Sequence, residues 1–135
     1  MSRGLRNNNP GNIRISKTTY LGEVSPSQDK AFKQFSTIAW GYRAMFVLLF
    51  TYHKNGHQTI RKMVSRYAPP VENDTEGYIR LVTQWSGIQP DKILLPTDPV
   101  QMLPIVSAMS RVENGIPAVE ADVRSGWDLF IKHKP

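Results

Sequence analysis

The sequence predicts a mainly helical α+β domain with a small β-hairpin lobe at its N-terminal side. Apolar residues recur at helical spacing in five segments after residue 36. The segment before them is rich in asparagine, glycine and proline, which favour turns. A length of 135 residues suits one domain with its own core, and no repeat or linker divides the sequence. We therefore expect residues 1–135 to form a single domain.

The first 36 residues are expected to form a turn-rich loop followed by a hairpin. Residues 7–12 read Asn-Asn-Asn-Pro-Gly-Asn, and this run favours turns because Asn and Gly tolerate left-handed backbone geometry. Short strands are predicted near residues 13–16 and 31–35, the second of which alternates in the manner of a β-strand. The residues between them include a glycine, a proline and an aspartate, which suit a long hairpin loop.

The first two predicted helices are defined by apolar stripes and by their end signals. Ser36 or Thr37 is a favourable N-cap for the first helix, which ends at Asn55-Gly56. Its apolar stripe comprises Ile38, Tyr42, Met45, Leu49 and Tyr52. The second helix ends before Pro69-Pro70, because proline cannot continue a helix. The apolar face of this second helix comprises Ile60, Met63, Val64 and Tyr67.

Three further helices complete the predicted fold. Asn73 begins a capping box with Glu76 and opens a helix that ends at Gly87. Asp98-Pro99 opens the next helix, which ends at Asn114-Gly115. The last helix is expected from about residue 117. Its predicted core residues are Val119, Val123, Trp127, Phe130 and Ile131.

Composition limits the classes of function. The chain has no cysteine, which excludes a disulfide framework, a thiol nucleophile and a cysteine zinc site. A formal net charge of +6 favours polyanionic partners such as nucleic acid, anionic lipid or the anionic polymers of a bacterial envelope. No apolar segment fits a secretory signal peptide or a membrane span. We therefore expect synthesis in the cytoplasm without a signal peptide.

The asparagine-rich loop is the first candidate binding element. Asn8, Asn9 and Asn12 place amide donors and acceptors on a short, constrained segment. Such groups suit the hydroxyl and acetamido groups of sugars. Asparagines in turns also bond their own backbone, so a structural role is equally open. Both roles are compatible within one loop.

Glu113 is the first candidate for acid–base chemistry. It lies at the predicted C-terminal end of a helix, where the helix dipole and apolar neighbours both raise the pKa of a carboxyl group. A general acid that works near neutral pH needs such a raised pKa. An exposed glutamate without a chemical role is the alternative, although cations are preferred at a helix C-terminus.

A second acidic cluster comprises Glu72, Asp74 and Glu76. Its place at a predicted helix N-terminus explains it without chemistry, because the dipole favours acids there. No metal site is expected, since the three histidines lack ligand spacing: His53, His57 and His133. No phosphate-binding glycine loop or serine nucleophile elbow occurs either. We therefore expect no metal and no cofactor.

Nucleic acid is a disfavoured partner. One helix carries Arg61, Lys62 and Arg66, which could contact phosphates. Polar helix faces are usually only solvated, however, and no helix-turn-helix spacing or aromatic stacking platform stands out.

The N-terminal motif resembles the opening of a family of small phage and prophage proteins that are often labelled virion structural proteins. That motif is residues 3–14, Arg-Gly-Leu-Arg-Asn-Asn-Asn-Pro-Gly-Asn-Ile-Arg. The likeness spans nearly the whole chain. Its further motifs are Phe32-Lys33-Gln34-Phe35, Gly41-Tyr42-Arg43-Ala44, Arg66-Tyr67-Ala68-Pro69-Pro70, Glu72-Asn73-Asp74-Thr75, Tyr78-Ile79 and Glu113-Asn114-Gly115. This resemblance implies a phage or prophage protein.

A more distant resemblance is to bacterial glucosaminidases with a lysozyme-like fold, and to lytic transglycosylases. In glucosaminidases a helix ending in a catalytic glutamate precedes an asparagine-rich segment, a hairpin and another helix. Here residues 8–13, 32–35 and the helix at Gly41 look similar to the later part, and Glu113 looks like the missing glutamate. The resemblance thus implies a lysozyme-like, circularly permuted arrangement. The helix that ends at Glu113 is then expected to pack against the N-terminal loop, because chain ends of compact domains commonly lie close together.

The same resemblance implies the roles of the site residues. Glu113 would protonate the glycosidic oxygen, and Glu23 in the hairpin lobe would be the second carboxylate. Asn8, Asn9, Asn12 and Tyr78 are the predicted contacts to substrate. Lytic transglycosylases need only one acid, because the acetamido group or the 6-hydroxyl of the substrate does the rest.

The function predicted from the sequence is cleavage of peptidoglycan glycan strands by a muramidase, glucosaminidase or lytic transglycosylase of phage type. The enzyme would reach the cell wall through a holin, another export route or a virion. One alternative is a non-enzymatic virion structural protein with other virion proteins as partners. The other alternative is a phage protein that binds nucleic acid.

Overall fold

The computed structural model describes residues 1–71 and 73–135. Within these residues the chain forms six helices and a two-stranded antiparallel sheet, which confirms the predicted, mainly helical α+β fold. None of the described helices is long and apolar enough to cross a bilayer. The helices are α1 (Arg3–Arg6), α2 (Ile38–Lys54), α3 (Ile60–Tyr67), α4 (Thr75–Ser86), α5 (Pro99–Asn114) and α6 (Glu120–Lys132). The strands are β1 (Glu23–Val24) and β2 (Gln34–Phe35).

The ends of the long helices follow the predicted signals closely. The Thr37 side chain caps α2 by accepting a hydrogen bond from Trp40 N. Gly87 and Gly115 end α4 and α5 in the left-handed conformation, at φ 73° and 75°. The predicted N-cap of α4, Asn73, was wrong. Asp74 rather than Asn73 caps this helix, because helical geometry begins one residue later than the capping box implied.

The N-terminal lobe differs more from the prediction. The short helix α1 was not expected, since its four residues are too few to show a helical period. Residues predicted to be the first strand form only an isolated bridge, between Arg14 and Phe32. The regular pairing lies further along the hairpin, where Glu23 pairs with Phe35. The N-terminal lobe therefore contains a short helix, an isolated bridge and one short strand pair, instead of the predicted two-stranded hairpin.

The core lies between α2 and the helices that surround it. Helix α6 packs along α2, and α4 packs against α5. Gly126 permits the close α2–α6 approach, because a Cβ there would lie only 2.4 Å from the Cβ of Tyr42. Val119 and Ile131 were predicted to lie in the core, but this prediction is wrong, since they are 60% and 44% exposed. Helix α6 begins at Glu120, so Val119 lies just outside the apolar face that was predicted to include it.

Candidate functional site

The asparagine-rich loop is stabilised largely by its own side chains. Asn9 has no exposed surface; its Oδ1 accepts a hydrogen bond from Ile13 N at 2.9 Å, and its Nδ2 donates to Lys33 O at 2.9 Å. Asn8 and Asn12 adopt left-handed backbone geometry, with φ of 51° and 49°, which asparagine tolerates better than most residues. Asn8 also donates to Phe35 O at 3.1 Å, joining the loop to β2.

The burial of Asn9 corrects its predicted contact with a glycan. A side chain with no exposed surface cannot touch a ligand that approaches from solvent, so Asn9 shapes the loop instead. Asn8 and Asn12 are only partly buried. The structural interpretation of the loop therefore applies to Asn9, and the binding interpretation stays open only for Asn8 and Asn12.

Asn114 joins this loop to the end of α5. Its Nδ2 donates to Pro10 O at 2.8 Å, and its Oδ1 accepts from Ser2 Oγ at 2.6 Å. Gly4 completes the contact, since a Cβ there would lie 2.7 Å from the side-chain oxygens of both Asn12 and Asn114. The sequence indicated Asn114 only as part of a helix stop. Its partners in the N-terminal segment, Ser2 and Pro10, lie more than a hundred residues away, so no local pattern reveals this role.

Glu113 lies beside the loop and bonds two of the other predicted residues. Its Oε1 accepts from Asn12 Nδ2 at 3.0 Å, and its Oε2 accepts from the Tyr78 hydroxyl at 2.9 Å. The expected packing of the Glu113 helix against the N-terminal loop is confirmed by these contacts. Two predicted residues, one from the loop and one from α4, thus converge on the partly buried carboxyl group of Glu113 at the end of α5.

Burial raises the pKa of Glu113 above the usual value for a glutamate. The hydrogen bonds from Asn12 and Tyr78 and the positive charge of Arg14 act in the opposite direction, because they favour the ionised form. Burial has the larger effect, so the pKa remains raised. The carboxyl group therefore keeps its proton to a higher pH than an exposed glutamate does, as a general acid requires.

Two tyrosines surround the carboxyl group. Burial, followed by the negative charge of Glu113, raises the pKa of both Tyr67 and Tyr78 well above the usual tyrosine value. Both therefore keep their hydroxyl protons, and the Tyr67 hydroxyl donates a hydrogen bond to Gly11 O. Tyr67 was predicted only as a core residue of α3, because its periodicity does not reveal what its hydroxyl bonds. Tyr78 is only 6% exposed, so its hydroxyl serves Glu113 in this structure.

Comparison of the sequence with known proteins identifies the family. No family model matches the sequence. Protein P5 of Pseudoalteromonas phage PM2 is 37% identical over 133 residues, an alignment that covers 94% of this chain and 81% of that protein. The chain belongs to the P5 family. The resemblance to phage proteins is thereby confirmed in its coarser form, a relationship to a phage protein.

Glu23 lies in the hairpin lobe of this P5-family chain, where it bonds a buried lysine. Both of its carboxylate oxygens accept from Lys33 Nζ at 3.1 Å, and Oε1 also accepts from Tyr20 N. The Lys33 side chain is only 1% exposed and donates further to the backbone oxygens of Ser16 and Thr18. Glu23 therefore neutralises a buried charge. Its predicted role as a second catalytic carboxylate stays a prediction that these contacts do not support.

Three of the remaining candidate residues have structural partners. Asp74 caps α4, and Arg61 pairs with Asp91 and Glu76. His53 bonds Leu94 O. Among residues 1–71 and 73–135, no group of three His, Asp or Glu side chains could hold a metal ion. Glu72 lies outside the described residues.

Proposed function

We propose that this P5-family protein cleaves the glycan strands of bacterial peptidoglycan, with Glu113 as its general acid. The observation that supports the proposal is the raised pKa of a partly buried glutamate that Asn12 and Tyr78 hold in a fixed orientation. A glutamate at the end of a helix beside an asparagine-rich loop is also the arrangement that the lysozyme-like resemblance implied. The substrate class follows from that resemblance.

The contacts of Glu113 suit a group that first donates a proton and then carries the negative charge left behind. The protonated carboxyl group would donate its proton to the glycosidic oxygen as the bond to the leaving sugar breaks. The resulting carboxylate would then be stabilised by the hydrogen bonds from Asn12 and Tyr78 and by the charge of Arg14. These three groups favour the ionised state, so they stabilise the product of proton transfer more than the starting acid.

A mechanism with one protein acid fits the site better than a mechanism with two. Glu23 is bound to Lys33, which supports a structural role for it. In the lytic transglycosylase scheme, the 6-hydroxyl of the sugar attacks its own anomeric carbon and gives its proton to the newly formed Glu113 carboxylate. The products are a free 4-hydroxyl on the leaving sugar and a 1,6-anhydro sugar, with no water consumed.

The second candidate is a non-enzymatic virion structural protein. The relationship to a phage protein identifies no chemical activity, and by itself it fits this alternative better than it fits a glycosidase. The hydrogen bonds of Glu113 to Asn12 and Tyr78 would then serve only to attach the N-terminal loop to α4 and α5. Nucleic-acid binding has less support, because Arg61 on its proposed helix is already ion-paired.

Turbidity loss of purified peptidoglycan, with mass analysis of released fragments, tests the proposal. We expect the wild type to clear the suspension, and Glu113→Gln to lower the rate by about 10²–10⁴-fold, the usual contribution of a general acid. Glu120→Gln is a matched control, because Glu120 is an exposed glutamate on α6. Fragments that carry 1,6-anhydro ends would support the single-acid mechanism over hydrolysis.

The other outcomes separate the alternatives. Clearing by both the wild type and Glu113→Gln would keep the enzyme but remove Glu113 from its site. No clearing of several wall types by the wild type would favour the virion structural protein. Salt-dependent retention of the protein on DNA, without clearing, would instead favour the nucleic-acid alternative.

A further inference from the structure

A pocket of about 230 Å³ lies where the N-terminal segment, the start of α2, the end of α5 and the start of α6 meet. It is larger than the cavity of about 150 Å³ that can hold one benzene molecule, and smaller than most small-molecule sites, which begin at about 300 Å³. A single side chain therefore fits it better than a sugar with its substituents. The apolar part of its wall comprises Leu5, Ile38, Ile116, Pro117, Ala118 and Val119.

The polar part of the wall belongs to the surroundings of the candidate site. Tyr42 and Ser110 are 2% and 1% exposed, and their hydroxyl groups bond each other at 2.9 Å. Asn114 also lines the pocket and attaches the N-terminal loop to α5 through Pro10 O. Asn8 lines it from the loop itself and is partly exposed. A ligand in this pocket would therefore lie beside the loop and one residue along α5 from the candidate acid.

Asp122 is the only charged side chain in the pocket wall, as far as the described residues form it. The residue is half-buried, and its carboxylate forms no hydrogen bond or ion pair within residues 1–71 and 73–135. The dipole of α6 favours an acid in its first turn, but it does not require that acid to line an apolar pocket. A partly desolvated carboxylate is stabilised most by a cation that donates a hydrogen bond to it. The ligand that complements this wall is therefore apolar along its length and positive at its end.

We propose that this pocket binds an aliphatic side chain that ends in an ammonium group, with the Asp122 carboxylate as the partner of its charge. In peptidoglycan, the diamino acid of a peptide stem carries such a group wherever the stem is not cross-linked. The inference rests on the proposed peptidoglycan substrate, but not on cleavage or on the role of Glu113. The protein would thus recognise the peptide stem as well as the glycan strand, and it would prefer wall regions with few cross-links.

Binding in the Glu113→Gln background tests the inference without cleavage. We would measure sedimentation of this variant with insoluble peptidoglycan that contains a diamino acid, and with the same polymer after acetylation of its free amino groups. Adding Asp122→Asn is expected to weaken binding to the untreated polymer by about 10-fold, the usual effect of losing a hydrogen bond to a charged group. Asp122→Glu should retain part of the affinity.

Acetylation of the polymer should weaken binding of the Glu113→Gln variant by a similar factor. Asp122→Asn should then cause no further loss. Acetylation makes the polymer more negative, which by net charge alone would strengthen its binding to a chain of charge +6. A loss therefore identifies the ammonium group as the ligand. Ala118→Leu gives a second check that changes no charge, because it narrows the pocket. It should weaken binding to the untreated polymer and leave binding to the acetylated polymer nearly unchanged.

Asp128→Asn is the matched control, because Asp128 is an exposed aspartate on α6 that does not line the pocket. Equal weakening by Asp122→Asn and Asp128→Asn would reduce the effect to net charge and overturn the inference. Unchanged binding after acetylation, or no binding of either polymer, would overturn it as well. An inactive wild type with intact Asp122-dependent binding would contradict only the proposed cleavage. An active wild type whose binding ignores the amino groups would contradict only the pocket.

Discussion

At the scale of single residues, the properties of Glu113 depend on opposing effects. Burial raises its pKa, while the hydrogen bonds from Asn12 and Tyr78 and the charge of Arg14 lower it. A carboxyl group with a raised pKa contributes most to stability below its unfolded-state pKa. That contribution is lost as the pH rises through the folded-state value. The wild type should therefore lose stability over this pH range, and Glu113→Gln should not.

Tyr78→Phe tests this balance directly. The variant removes a hydrogen bond that favours the ionised carboxylate, so we expect the pKa of Glu113 to rise further. Above that pKa the variant should lose about 1.5 kcal/mol of unfolding free energy, as is typical for a hydrogen bond to a charged group. Urea unfolding over a pH series measures this loss. The alkaline limb of glycan cleavage should move to higher pH.

Tyr52→Phe is the matched control for that experiment, since Tyr52 contacts Arg66 and His57 rather than Glu113. Its pH profile should match that of the wild type. A Tyr78→Phe profile that also matched the wild type would contradict the assigned effect of the hydroxyl on Glu113.

At the scale of elements, the sequence predicts what local chemistry determines. The Thr37 side chain marks the start of α2, and the left-handed backbone of Gly115 marks the end of α5, so α2 begins and α5 ends where expected. Helix α1 and the short strand β1 are too short to show a periodic pattern in the sequence, and they depend on tertiary contacts. Lys33 is the clearest case. Alternation in a strand does not reveal that its charge is buried against Glu23.

Glu23→Gln should destabilise the hairpin lobe, because it leaves the Lys33 charge buried and uncompensated. We expect a loss of about 3 kcal/mol in unfolding free energy, measured by chemical denaturation. Glu120→Gln is the control, since it breaks an exposed pair with Arg124 and should cost at most about 0.5 kcal/mol. Equal stability of Glu23→Gln and the wild type would refute the structural role.

The double variant Glu23→Gln/Lys33→Met separates structure from catalysis at this position. Removing both charges should recover part of the stability, although the Ser16 and Thr18 carbonyl groups lose a donor. Full glycan cleavage by this folded variant is the expected result. Loss of cleavage with the fold intact would return Glu23 to the list of catalytic candidates.

At the scale of the whole molecule, the candidate site exists because the N-terminal loop meets the end of α5. Residues 2–12 and the end of α5 are about a hundred positions apart, yet Asn12 bonds Glu113, and Asn114 bonds both Ser2 and Pro10 O. The resemblance predicted this meeting for Glu113. The contacts of Asn114 and Tyr67 could not be predicted, because hydrogen bonds between distant segments leave no pattern in either segment. The sequence therefore indicated the candidate acid, Glu113, but not Asn114 and Tyr67, which hold its surroundings.

Asn114→Ala should loosen the N-terminal loop while leaving the helical core in place. The substitution deprives Pro10 O, Ser110 O and Ser2 Oγ of a partner, and partly buried groups left in this way cost about 2 kcal/mol. Amide hydrogen exchange should accelerate in residues 7–13 and stay slow in α2, because α2 packs extensively against α6. Asn73→Ala is the control, since its bond to Pro69 O is exposed. If exchange accelerated uniformly, the loop would be part of the cooperative core. Glu113 would then owe its orientation to the entire fold rather than to this one attachment.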